Sequence, residues 1–255
     1  MDGKHLSASK PVLGFDRKIA LNWLDATLQL TAEGLSPAEI RGRLDVVLEG
    51  QVAGTTHNSA RGKTKTVLLH IWVNVPPHIT KLRDKAIALA LTLAPDQRVA
   101  LHWGMCIATY PFFLDVATTT GRLLQMQDQV SLAQVQRRIA DTWGERSTLT
   151  RAVQRVLRNL VDWNVLHDAN RSGTYESTSK IDLTQSIPLE LWLLEAFMVG
   201  NSLEIREFKD ILAAPCLFPF HLNLSGANFE GHTELEFVRH GASSELVIMK
   251  QPLLL

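Results

Sequence analysis

Arg151, Arg155 and Arg158 are separated by four and three residues, a spacing that stacks their guanidinium groups along one face of an α-helix. Arg146 lies just before them, Gln154 among them and Arg171 beyond them, and no acid occurs between Glu145 and Asp162. The chemistry open to such a face is recognition of anions. A guanidinium offers a planar fork of donors that fits a phosphate or the edge of a guanine, and the amides of Gln154 and Asn159 can bond to base edges. Solvated helices without any ligand also carry arginines, so residue types alone leave a binding face and an idle one both open.

The elements that would position these residues lie in the run 131–177. Ser131 can cap a helix with Leu132, Val135, Ile139 and Ala140 on one face, ending at Trp143-Gly144. A second helix from near Ser147 carries Leu149, Val153, Val156, Leu157, Leu160 and Val161 at helical spacing, with the arginines on its other side. Val165-Leu166-His167 and Thr174-Tyr175-Glu176, joined by Asn170-Arg171-Ser172-Gly173, read as a hairpin with Arg171 at its tip. Helix, turn, helix and hairpin in this order resemble the winged helix-turn-helix superfamily, over about a fifth of the chain. The resemblance implies a domain that binds duplex DNA, with the second helix in the major groove and the hairpin at the backbone or minor groove. A substantial minority of such domains bind proteins instead.

A second basic stretch lies upstream. Between Gln51 and Arg83 there is no acid, while Arg61, Lys63 and Lys65 follow the polar string Thr55-Thr56-His57-Asn58-Ser59. Ser59 can cap a helix that ends before Pro76-Pro77, although 67–75 also suits a buried strand. This stretch is either a second phosphate-contacting surface or an exposed basic segment without a ligand.

At 255 residues, with 45% hydrophobic and 20% charged residues, the chain can bury one large or two small cores. Its apolar runs, such as 67–75 and 86–94, fall short of the roughly 20 residues that span a bilayer. The polar N-terminus lacks the apolar core of a signal peptide, and Cys106 and Cys216 lie far apart in apolar settings. These features predict a cytoplasmic protein with no membrane partner and free, buried thiols. The formal net charge of zero hides an asymmetry. Residues 1–180 hold 22 Lys+Arg against 16 Asp+Glu, whereas residues 181–255 hold 4 against 10. A basic body with an acidic end fits DNA on one side and a protein partner, self-association or an autoinhibitory cover on the other.

Along the rest of the chain, apolar spacing predicts a helix from Phe15 to near Gly34, and Ser36-Pro37-Ala38-Glu39 opens another with a capping box. Helices are expected over 79–93, over the nearly all-apolar 99–109, and over 116–125 after the corner Tyr110-Pro111-Phe112-Phe113. His102 falls on the buried one and reads as a core histidine with a hydrogen-bond partner. Helices over 188–199 and 203–214, then strands over 218–224, 233–239 and 246–250 with turns at Ser225-Gly226 and Gly241-Ala242, repeat the earlier order with acidic residues. Apolar Pro252-Leu253-Leu254-Leu255 is expected to dock on this protein or another copy.

No phosphate-binding glycine loop, paired-cysteine site or nucleophile elbow is present. His221, Glu230, His232, Glu234 and His240 form a loose His/acid set, with His232 and Glu234 expected on one strand face, but polar residues on the solvent side of a hairpin give the same pattern.

The sequence therefore predicts a mainly α protein with small β hairpins: a helical N-terminal domain over 1–125, a winged helix over 126–182, and an acidic α+β domain over 183–255 compatible with a second, degenerate winged helix. It predicts no enzymatic activity, cofactor or metal. The expected DNA-binding residues are Arg146, Arg151, Gln154, Arg155, Arg158, Arg171, Arg61, Lys63 and Lys65. The capped helix, the basic Ser59-Ala60-Arg61-Gly62-Lys63-Thr64-Lys65 element, Tyr110-Pro111-Phe112-Phe113 and the arginine-bearing helix together resemble accessory proteins of BREX-type phage-defence clusters. That resemblance implies a non-enzymatic DNA-binding factor. The alternatives are a protein-interaction module of a larger complex and a dimeric transcriptional regulator on a palindromic site.

Overall fold

A computed structural model of the chain describes residues 13–240 and 244–251. The expectations for residues 1–12, for the Gly241-Ala242 turn and for Pro252–Leu255 lie outside these. Six helices come first: α1 (Leu21–Ala32), α2 (Pro37–Val47), α3 (Ala60–Trp72), α4 (Thr80–Ala90), α5 (Arg98–Thr109) and α6 (Pro111–Leu124). Then follow β1 (Gln129–Ser131), α7 (Leu132–Trp143), α8 (Ser147–Asp162), β2 (Leu166–Asp168), β3 (Thr174–Ser177) and β4 (Ile181–Asp182). The last part contains α9 (Ile187–Gly200), β5 (Ile205–Glu207), α10 (Phe208–Leu212), β6 (Phe220–His221), β7 (Leu235–His240) and β8 (Ser244–Met249). The protein is mainly helical with small sheets.

Local chemistry explains several helix starts. Ser36 Oγ accepts the Glu39 N–H while the Glu39 carboxylate accepts the Ser36 N–H, and Pro37 stands at the first helical position, where its missing donor is not needed. Ser59 caps α3 through the Gly62 N–H, so the stretch open to helix or strand is a helix. The helix expected from Phe15 begins only at Leu21. Residues before it are held extended because the Ile19 N–H donates to Asn159 Oδ1 and its carbonyl accepts from Trp163 Nε1, which removes the groups a helical turn would use.

One continuous core draws side chains from every one of these elements except β5. Phe15, Trp103, Phe113 and Trp163 meet at tilted or edge-on angles at its centre, tying the N-terminal segment to α5, α6 and α8. The buried indoles of Trp103, Trp163 and Trp192 donate to the carbonyls of Cys216, Ile19 and Leu82, so none of these three leaves its polar atom without a partner. Gly121 of α6 lies against a short 3-10 helix, Pro215–Leu217. A Cβ there would fall 1.9 Å from the Pro215 carbonyl oxygen. Cys106 and Cys216 are buried free thiols, and burial pushes the Cys216 thiol up to about 12.

Two three-stranded sheets have the same antiparallel order, with the last strand in the middle: β1-β3-β2 and β5-β8-β7. Each is preceded by a helix, α6 or α9, and its first strand leads directly into a helix, α7 or α10. The helix that follows the first strand is shorter at the second sheet than at the first. The helix expected over 203–214 is the strand β5 followed by only five residues of α10, because 205–207 pair with β8 instead of continuing a helix. Where the first unit has the 16-residue α8, the second has 3-10 turns at Pro215–Leu217 and Gly226–Phe229. Of the strand expected over 218–224 only β6 exists, in a two-residue parallel pairing with β4. No helix among the described residues is long and apolar enough to cross a membrane.

Candidate nucleic-acid interface

The site is built on α8. Leu149, Ala152, Val153, Val156, Leu157 and Leu160 are buried, and they fix the rotation of the helix in the body. That rotation turns Arg151, Gln154 and Arg155 outward, and all three are exposed. Among the described residues, neither arginine has an ion-pair partner. Several acidic residues of 181–255 pair elsewhere, Glu195 and Glu234 with Lys85, Glu207 with Lys209, Asp210 with Arg206, and Glu245 with Arg239, and none pairs with Arg151 or Arg155 among the described residues. The described part of the acidic end therefore does not cover the arginine face.

The C-terminus of α8 is set by Asn164, at φ 56°, in the left-handed region that asparagine tolerates. The Val165 N–H then bonds back to Leu160 and the Asn164 N–H to Val161, closing the helix and turning the chain into β2. Arg158 is engaged at this end. Its Nη1 donates to both carboxylate oxygens of Asp168 on β2, at 2.7 and 2.8 Å, and this bonding raises the guanidinium pKa further. Arg158 thus links helix to hairpin, and Asp168 offsets its charge.

At the other end, Ser131 and Gln134 form a capping box that starts α7, and the Leu132 N–H donates to the Gly173 carbonyl in the hairpin turn. Arg171, exposed in that turn, is thereby held beside the start of α7. Trp143 closes α7 and donates to Asp115 of α6 at 2.7 Å, and Gly144, at φ 73°, breaks the helix. A groove of about 530 Å³ between α7 and α8 is lined by Arg137, Arg146 and Thr150, among others. Arg137 was not among the expected residues. The Arg137-Arg138 doublet on the exposed side of α7 is the signal that points to it.

Two residues expected to reach nucleic acid do not. Asn159 does not face solvent: its side chain is fully buried, with Oδ1 accepting from Ile19 and Nδ2 donating to the Arg17 carbonyl. Lys65 is not a phosphate-reaching residue either. Its side chain is only 8% exposed, and its ammonium is bonded to Asp45 of α2 at 2.5 Å. Of its neighbours, Arg61 bonds through Nε to the Val52 carbonyl, and Lys63 is exposed.

In the C-terminal hairpin, His232 is not on a strand face with Glu234. Its Nδ1 accepts the N–H groups of Glu234 and Leu235, which fixes the turn before β7. Among the described residues no three His, Cys, Asp or Glu side chains come together as a metal-holding group. His102 is buried with Nε2 3.0 Å from Asp25 Oδ1; burial lowers its pKa, and Asp25 opposes that shift. No protein-family model, curated protein or solved structure matches the chain.

Proposed function

We propose that this protein binds duplex DNA without enzymatic activity, using the α6-to-β3 unit as a winged helix with α8 in the major groove. The observation that carries this reading is the exposed Arg151, Gln154 and Arg155 face, which has no acidic partner among the described residues. Helix, strand, two helices and two strands, with sheet order β1-β3-β2, support the winged-helix reading. Arg171 in the hairpin turn and Arg137 and Arg146 at the α7–α8 groove would add backbone contacts. Arg158 acts as the brace between helix and wing.

On the whole-chain resemblance to BREX-type accessory proteins, the binding would serve a phage-defence assembly. The acidic unit from α9 to β8 supports a division of labour in which it meets protein and the first unit meets DNA. The test is fluorescence anisotropy on a labelled random duplex at low salt. Changing Arg151 and Arg155 together to Ala should weaken binding at least tenfold while leaving the melting temperature unchanged; undiminished affinity would place the interface elsewhere.

A further inference from the structure

A cavity of about 450 Å³ opens between the extended N-terminal segment, the start of α3 and the α5–α6 corner. Arg17, His57, Lys63, His70 and Tyr110 line it, with Asp16 as the only acid among its lining residues. Several of its polar groups are uncommitted. Lys63 is exposed and has no ion-pair or hydrogen-bond partner among the described residues. Arg17 donates from one terminal nitrogen to Asp16 at 2.8 Å, while its buried Nε has no acceptor. Tyr110 is more than nine-tenths buried, and its hydroxyl, which has no hydrogen-bond partner among the described residues, is not sealed from solvent. Burial raises its pKa above the ordinary phenol value, and the hydroxyl is a donor at neutral pH.

The Tyr110 ring is buried while its hydroxyl remains accessible, so the polar end of the side chain is open to a ligand. Here the ring is fixed by edge-on packing against Phe15 and His70, so its direction is set by the core and not by a ligand. Asp16 is about half exposed and is bonded to Arg17, which leaves Lys63 as the unbalanced charge. The cavity therefore combines a fixed hydroxyl donor, an unpaired ammonium and a partly used guanidinium, with imidazoles on its walls. Its volume exceeds what an inorganic ion needs.

We propose that this cavity binds a phosphate monoester, held by Lys63, Arg17 and the Tyr110 hydroxyl, with His57 and His70 against the group that carries it. A terminal phosphate can enter such a recess, whereas the backbone of a continuous duplex lies along a surface. The site is distinct from the α8 face and does not depend on it. Two sources share this chemistry: a mononucleotide and the 5′ end of a DNA strand.

The test is calorimetric titration of the full chain with inorganic phosphate, AMP, acetate, and one duplex carrying either 5′-phosphate or 5′-hydroxyl ends. AMP binding identifies a nucleotide site. At least tenfold tighter binding of the phosphorylated duplex identifies a strand-end site. In either case Lys63→Gln and Tyr110→Phe should each weaken binding about tenfold, with wild-type melting temperatures. The variant in which Arg151 and Arg155 are both Ala should retain AMP binding and the preference for the 5′-phosphate. The proposal is overturned if neither AMP nor the 5′-phosphate makes a difference, if acetate binds as well as phosphate, or if both cavity variants bind like the wild type.

Discussion

Asn159 on the back of α8 holds Ile19 across 140 residues of chain, its Oδ1 accepting the Ile19 N–H at 3.0 Å while its Nδ2 donates to Arg17. The helix that carries the arginine face is thus pinned from behind to the segment that precedes α1. Asn159→Leu would leave the Ile19 N–H and the Arg17 carbonyl without partners in the core. Each such group costs about 1–3 kcal/mol, so a clear fall in denaturation midpoint is expected. Chemical denaturation of the variant measures it, and an unchanged midpoint would mean that these bonds hold nothing in place.

Lys65 separates structure from binding. Lys65→Ala removes one partner of a pair whose other member, Asp45, keeps solvent contact, so the loss should be about 1–2 kcal/mol, less than for a sealed ion pair. DNA affinity, measured below the melting transition, should stay within twofold of wild type. A large affinity loss with no stability loss would return Lys65 to the binding surface.

Much of this was legible in the sequence. The capping boxes at Ser36 and Ser131 are local devices, and the apolar stripe of α8 determines which side the arginines take. Lys65 and Asn159 were misread because residue type was weighed above position: Lys65 shares a helix face with Leu68, Leu69 and Trp72, and Asn159 with Ala152, Val156 and Trp163. What the sequence hid were β1 and β5. Three-residue strands carry almost no periodic signal, and both exist through pairing with β3 or β8, far along the chain. The Tyr110 and Arg17 cavity was hidden for a similar reason, since its residues come from four separate stretches of chain.

Gly121 allows α6 to touch the Pro215–Leu217 turn with backbone against backbone. In Gly121→Ala the added carbon would lie 1.9 Å from a carbonyl oxygen that no side-chain rotation can move away. Such overpacking costs about 1–3 kcal/mol or more, which outweighs the helix-propensity gain of about 1 kcal/mol from Gly to Ala. Thermal unfolding should show a lower midpoint; a higher one would show that the turn yields.

His102 makes stability depend on pH. Its folded pKa is lowered by burial, so below the ordinary imidazole value of about 6.5 the unfolded chain binds a proton more readily than the folded one. The contribution of His102 is therefore fully present above about pH 6.5 and declines as pH falls below it. In urea titrations between about pH 7.5 and 5, His102→Gln should flatten the pH dependence relative to wild type. Parallel curves for the two proteins would remove His102 as a source of acid sensitivity.

If the Arg151 and Arg155 face meets phosphates, duplex affinity must depend on salt through these two side chains. Each phosphate neutralised contributes about 0.9 to the slope of log affinity against log salt. Wild-type affinity should weaken with salt, and the slope should be smaller by about 2 when both arginines are Ala. Equal slopes and equal affinities for the two proteins would contradict it.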